Sequence, residues 1–374
     1  MKILFTNFHE GDGGGHTTYV VALARGLAGR HEVHVAAPEG SRLLREAREV
    51  PGVTALAQAF PNGLRELAAR RRALQALAAR LRAEAYDVVH VNGSADHRLV
   101  LAAMGGLPRR PKLVLTKHNS KPLGGFGHAW RARSTDQVIA VCDFTLRQLR
   151  QSAYRRCALA TVHNGIDVAH FSPWPEQQAL AERQRWFGDF GGLVLGSTAG
   201  TAAYKGWMDL VEALALLPAD ARAQVRVLMA GKPPGAEQVA RIDALGLASQ
   251  VVFTGLLTDV RPAVAAIDAG FVLSYDVETI SFACREMMAM GKPVLLSDYA
   301  GLPENVAEGR EGWVVPVRDR RAIAAAVEKI LALRPRLPAM GAAARERAAR
   351  EFGIELFVER TLAVYAAVLG MSAG

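Results

Sequence analysis

Glu278 and Glu286, eight positions apart, are the residues of this sequence best suited to recognise a hydroxylated ligand. Each carboxylate oxygen accepts hydrogen bonds, so two carboxylates at one loop–helix boundary suit the adjacent hydroxyls of a polyol or a ribose. Glu286 leads into an apolar run, Met287-Met288-Ala289-Met290, which Gly291 ends before Lys292-Pro293. The pattern predicts a helix with Glu286 near its N-terminus and Glu278 in the loop before it. An acidic helix start with no ligand fits the same residues. A second candidate is the run Gly13-Gly14-Gly15, between an apolar strand and a helix. Glycines let the backbone approach a phosphate, and a helix N-terminus offers free N–H groups. The run does not match G-x-G-x-x-G, and no acidic residue closes the following strand, which argues against a nicotinamide nucleotide. A plain tight turn is the alternative.

These loops must be held by the elements around them. Short apolar runs alternate with helical stretches: Ile3–Phe5, Glu32–Ala36, Val88–Val91, Leu113–Leu115 and Gln137–Val141, with an amphipathic helix over Thr17–Leu27. Such alternation implies right-handed crossovers and a parallel sheet covered on both faces. The pattern stops after Asn164-Gly165-Ile166-Asp167 and restarts at Leu193-Val194-Leu195-Gly196. It continues through Val225–Met229, Val251–Phe253, Gly270–Leu273 and Pro293–Leu296. The expected architecture is α/β, with two doubly wound domains over 1–171 and 193–350 and a Pro- and Gly-containing linker over 172–192. A C-terminal helix within 351–374 is expected to cross back to the first domain. Ligands of such sheets bind at the carboxyl ends of the strands, so two facing domains would share one cleft.

Composition narrows the classes further. A chain of 374 residues, half of them hydrophobic and 22% charged, has material for two cores and is neither disordered nor collagen-like. Three cysteines, Cys142, Cys157 and Cys284, lack metal-ligand spacing, so neither a disulfide framework nor a metal site is expected and a reducing cytoplasm is the simplest compartment. No stretch approaches the ~20 apolar residues of a membrane span. Basic residues outnumber acidic ones 45 to 36, and only eight of the 45 are lysine. Codon bias, an acidic partner and an anionic membrane all fit that excess.

Glu278–Glu286 resembles the E-x7-E motif of the retaining glycosyltransferases of the family-4 type, which have the GT-B fold. Glu286-Met287-Met288-Ala289-Met290-Gly291-Lys292-Pro293-Val294 is similar to its E-A-M-A-x-G-x-P-V. Gly301-Leu302-Pro303-Glu304-Asn305-Val306 resembles G-x-P-E-x-V, and Gly309 with Gly312-Trp313-Val314-Val315 resembles the next glycine turn. His163-Asn164-Gly165-Ile166-Asp167 with Phe171, Tyr204-Lys205-Gly206, Phe253-Thr254-Gly255, Asp87-Val88-Val89-His90 and Thr116-Lys117-His118-Asn119 follow the family's order. The resemblance covers almost the whole chain.

It implies transfer of a sugar from a nucleotide-diphosphate donor to an acceptor hydroxyl with retention and without a cofactor or metal. UDP is the favoured nucleotide, GDP and ADP the alternatives. Lys205 would neutralise the leaving diphosphate, with Gly14 and Gly15 as the opposite wall, and Gly255 would lie beside the nucleobase. Glu286 would hold the ribose. Glu278, with the backbone of Thr279, Ile280 and Ser281, would hold the donor sugar. His118 would act on that sugar from the first domain, making His118, Lys205 and Glu278 the catalytic candidates. Three departures stand out: Gly200 replaces an arginine five residues before Lys205, Thr279-Ile280-Ser281 replaces Gly-Phe-Gly, and Asn92 replaces the second histidine of H-x-H.

For the acceptor, residues 63–85 carry Arg65, Arg70, Arg71, Arg72, Arg80 and Arg82 interleaved with Leu67, Leu74, Leu77 and Leu81. A solvated outer helix face fits this pattern, as does contact with an anionic membrane surface. Lys117, Asn119 and Lys121, with Arg131 and Arg133, are the acceptor-side candidates and suit an anionic glycolipid or glycan. The expectation is a bacterial envelope enzyme of lipopolysaccharide-core type, cytoplasmic or peripheral on the inner membrane face. The rivals are a nucleotide-sugar epimerase of the same architecture and a degenerate binding protein. A nucleic-acid partner is disfavoured, because no aromatic residues interleave with the basic ones in a recognisable module.

Overall fold

The computed structural model describes residues 1–11, 14–63 and 66–371; Gly13 of the glycine run and Arg65 of the basic stretch lie outside them. The chain forms two compact units, Met1–Gly165 with Ile354–Gly374, and Ile166–Gly353.

The first unit contains β1 (Lys2–Thr6), β2 (Glu32–Ala37), β3 (Val53–Ala57), β4 (Val88–Val91), β5 (Lys112–Lys117), β6 (Gln137–Ala140) and β7 (Ala158–Thr161). Among the described residues they form one parallel sheet in the order β3-β2-β1-β4-β5-β6-β7. Ile3, Leu4 and Phe5 of β1 and Val88 and Val89 of β4 are completely buried, as expected of strands with helices on both faces. The helix Gly15–Leu27 turns Tyr19, Val20, Leu23, Ala24 and Leu27 inward. Strands β3 and β7 escaped the sequence pattern because their residues are small and only partly buried.

The second unit repeats the design with β8 (Leu193–Ser197), β9 (Val225–Ala230), β10 (Val251–Gly255), β11 (Ala269–Val272), β12 (Val294–Ser297) and β13 (Gly312–Val315). Their order is β10-β9-β8-β11-β12-β13, again parallel. In each sheet the winding reverses at one point, between β1 and β4 and between β8 and β11. Loops leaving those strands diverge and open a crevice at their carboxyl ends.

The chain changes units between Gly165 and Ile166, ahead of the expected 171/172 boundary. Residues 172–192 fall within the second unit. They contain the helix Glu176–Phe187, anchored in the second unit where Arg183 pairs with Asp268 at 2.9 Å. The helix Ile354–Leu369 belongs to the first unit, burying Phe357, Val358, Thr361 and Tyr365. A Cβ on Gly26 would lie 2.4 Å from Val358 Cγ2, so the first helix needs a glycine where this one crosses it. No helix among the described residues is long and apolar enough to cross a membrane.

Candidate functional site

Lys205 ends a short 3-10 turn, Ala203–Lys205, in the loop after β8. Gly206 follows with φ 69°, and a Cβ there would meet the Leu273 carbonyl oxygen at 1.9 Å. Only glycine permits so close an approach. The Tyr275 N–H donates to the Tyr204 carbonyl at 2.9 Å, tying the loop after β11 to the loop after β8. Across this reversal point Lys205 Nζ donates to Glu278 Oε2 at 2.7 Å, with side chains 17% and 12% exposed. Glu278 Oε1 accepts from the Thr279 N–H at 3.2 Å. A cation and a carboxylate are thus held together at the edge where a ligand would enter.

Glu286 is not at a helix start. The helix runs Phe282–Ala289, capped by Ser281, whose Oγ accepts from the Cys284 N–H at 3.4 Å. That hydroxyl supplies the N-cap, which places Glu286 on the helix's second turn. It is half-buried, and desolvation pushes its pKa to about 7. Its neighbour Arg285 is held elsewhere, Nε donating to Asn305 Oδ1 at 2.8 Å and the guanidinium lying 3.8 Å over the Phe352 ring. Thr279, Ile280 and Ser281 are buried. Ser281, where the family motif has glycine, has φ 54°. Gly255 ends β10 with φ 74°, and its carbonyl accepts from the Gly231 N–H at 3.1 Å.

In the first unit Gly14 is the extended N-cap residue of Gly15–Leu27, with no side-chain cap and nothing within 4 Å of a would-be Cβ. His118, just beyond β5, contacts Asn92 Oδ1 through Nε2 at 2.8 Å. Its ring lies 4.5 Å from those of both His16 and Tyr19, and the His16 ring is 4.6 Å from that of His9. Burial first, then His16, His90, His9 and Lys117, hold the His118 pKa well below its ordinary value. Burial, with His9 and Lys117, pushes His16 down to about 4. This group of histidines escaped sequence reasoning, since His9 and His16 sit in no recognisable motif. The glycine run followed by His16 was its one visible signal.

The acceptor-side candidates divide. Lys117 is buried, and its Nζ donates to Asn119 Oδ1 at 2.6 Å and to the Lys121 carbonyl at 2.5 Å. Lys117 and Asn119 thus brace their own loop, and burial lowers the lysine pKa to about 8. The Lys121 side chain is exposed. His90 is not at the strand-end surface. It is completely buried, its Nδ1 2.6 Å from the Tyr365 hydroxyl and its Nε2 2.6 Å from Thr116 Oγ1. Glu32, His34 and Glu84 bring potential metal-ligand atoms within 4.8 Å of one another, but the Lys2 ammonium pairs with both carboxylates and neutralises the cluster.

Known proteins resemble this chain in sequence and in fold. The model of Glycosyltransferase Family 4 matches residues 13–170, and that of Glycosyl transferases group 1 matches residues 192–332. The chain is 30% identical over 321 residues to the alpha-maltose-1-phosphate synthase of Mycolicibacterium smegmatis, covering 76% of this chain and 79% of that one. It is also 30% identical over 220 residues to the GDP-mannose-dependent alpha-(1-6)-phosphatidylinositol monomannoside mannosyltransferase of Mycobacterium tuberculosis. That match spans 57% of each chain, so less than two thirds of that relative's length is covered. Anabaena HepE, solved with UDP and glucose, superposes with a TM-score of 0.82 at 19% identity, over 98% of this chain and all of the other. That likeness shows a shared GT-B fold. With the ordered motifs and the paired winding reversals, the matches lead to one conclusion: the chain belongs to the family-4 glycosyltransferases.

Proposed function

We propose that the chain transfers a sugar, with retention, from a nucleoside-diphosphate-sugar to a hydroxyl of a glycan or glycolipid. A bacterial envelope glycan of lipopolysaccharide-core type is the proposed acceptor. The observation that carries the reading is the Lys205–Glu278 ion pair spanning the reversal point of the second sheet, with Glu286 on the helix that follows.

As the glycosidic bond breaks, negative charge grows on the leaving diphosphate and positive character on the anomeric carbon. Lys205 brings a fixed cation to the diphosphate, where it stabilises charge that develops only in the transition state. Glu278, already oriented by Lys205 and by the Thr279 N–H, accepts hydrogen bonds from the sugar hydroxyls. Glu286 accepts from the ribose. Neither carboxylate is cast as a nucleophile. In the first unit, His118 and the Gly14–Gly15 turn are the residues proposed to take part in transfer.

The test is a screen of UDP-, GDP- and ADP-sugars for hydrolysis and for thermal stabilisation. One nucleotide series should do both in the native protein, with turnover lost in Lys205→Ala and Glu286→Ala. Stabilisation without turnover would favour a binding protein, and interconversion of the donor sugar an epimerase.

A further inference from the structure

A cavity of about 180 Å³ opens in the first unit between the loop Pro61–Gly63 and the helices Leu67–Glu84 and Ser94–Ala103. Buried Ala95 and Leu99 form its floor, and Asn62, Arg70 and Arg98 supply its polar wall. Arg98 is half-buried, and one of its Nη2 hydrogens is donated to Asn62 Oδ1. Burial, then Arg131 and Arg70, lowers its pKa. Arg131, 4% exposed, lies on the adjoining helix Phe126–Ala132. Its Nη2 donates to His128 Nδ1 at 3.0 Å while its buried Nε has no partner.

Two carboxylates lie nearby, and neither forms an ion pair with these arginines. Glu66 accepts from the Gly63 N–H at 3.1 Å. Asp96 accepts through Oδ2 from Thr6 Oγ1 at 2.9 Å and the Asn92 N–H at 2.8 Å, while its buried Oδ1 has no partner. Among the described residues no ion pair involves Arg70, Arg98 or Arg131. Arg70 and Arg98 line the cavity and Arg131 acts on Arg98 from behind it, while Asp96 opposes them more weakly than either arginine. The excess positive charge repels in the absence of a ligand and becomes attractive once an anion enters. Guanidinium forks match the paired oxygens of a phosphate.

We propose that this cavity binds the phosphate group of an acceptor, a phosphomonoester or phosphodiester gripped by Arg70 and Arg98. The proposal rests on the transferase reading for the word acceptor, but the binding itself needs neither donor nor turnover. The first measurement is calorimetric titration of the native chain with inorganic phosphate. One saturable site is expected, weakened by roughly tenfold or more in the combined R70Q/R98Q variant. Melting in phosphate-free buffer reports whether that variant is folded, and R98K, which keeps the charge without the fork, should fall between. Phosphatidylcholine vesicles with and without phosphatidylinositol separate the sources. Vesicle binding that needs phosphatidylinositol and Arg98, and that free phosphate competes away, assigns the site to a lipid headgroup. Phosphate binding without such vesicle binding assigns it to a soluble phosphate ester. Absence of a saturable site in the native chain, or equal binding by the folded double variant, overturns the proposal. Loss of phosphate binding in the variant alongside a failed donor screen would leave this site standing and the transferase reading refuted.

Discussion

Asn92 Oδ1 accepts a hydrogen bond from His118 Nε2 at 2.8 Å. The Asn92 amide nitrogen donates to the carbonyls of Thr6 at 3.0 Å and His90 at 3.3 Å, so its oxygen must face the imidazole. This fixes the Nε2–H tautomer and leaves Nδ1 as an acceptor. The asparagine that departs from the family's H-x-H therefore sets the protonation pattern of the histidine beyond it. Asn92→Asp should convert that acceptor into a counter-ion. Imidazole NMR should then show His118 titrating at a higher pH than in the native chain, with turnover near neutrality falling about tenfold or more. An unchanged His118 titration in the folded variant would contradict this account.

Glu286 offers a pH test whose sign is fixed. Burial raises its pKa to about 7 from the model-compound value of 4.5. If its carboxylate holds the ribose, nucleotide affinity should rise as pH increases through 7, and Glu286→Gln should flatten the profile. Stability should run the other way. The favourable protonated form is fully present below the unfolded pKa, and its contribution is lost as pH rises through the folded one. The Gln variant should therefore gain thermal stability over the native chain across that window and none below it. Calorimetric melting at several pH values checks the second half.

The Lys205–Glu278 pair predicts non-additivity. Removing either partner leaves the other nearly buried and unpaired, at a cost of about 1–3 kcal/mol. The double variant Lys205→Ala/Glu278→Gln should therefore be less destabilised than the sum of the single ones. Urea titration of all three gives the coupling energy. Turnover in Lys205→Ala should drop by roughly 10²–10³.

Ser281 holds φ 54° without being glycine. Such a backbone costs on the order of 1–3 kcal/mol, whereas replacing a serine N-cap by glycine costs only a few tenths. Ser281→Gly should therefore stabilise the protein by about 1 kcal/mol. A lower melting temperature would mean that the serine hydroxyl contributes more than its cap.

Gly206→Ala should do the opposite. Its Cβ would fall 1.9 Å from the Leu273 carbonyl oxygen, backbone that cannot rotate away. A loss of about 2–4 kcal/mol is expected in urea unfolding, together with weaker donor binding as the Lys205 loop shifts.

The Lys205 and Glu278 loops were legible because each lies in a short contiguous motif at a strand's end, where the loop alone sets its position. Glu286 was misplaced by one helical turn because an uncharged N-cap, Ser281, does the capping that an acidic residue can also do. The first-unit groups were much less legible. Asn92 and His118 are 26 residues apart, and His90 and Tyr365 are 275 apart. No local periodicity encodes pairs that only the sheet order brings together. The packing of residues 172–192 in the second unit was illegible for a related reason. Their prolines and glycines flank a helix whose Arg183 finds Asp268, 85 residues on.

The second unit is an insertion between Gly165 and Ile354. The ribosome therefore delivers it whole while the first unit still lacks its closing helix. Until the last 16-residue helix is made, His90 has no tyrosine hydroxyl and Gly26 faces no Val358. The unit begun first is the one completed last, and a nascent chain carrying a finished second unit would still expose an open apolar face on the first. Early chain release near residue 353 would leave that face open for good.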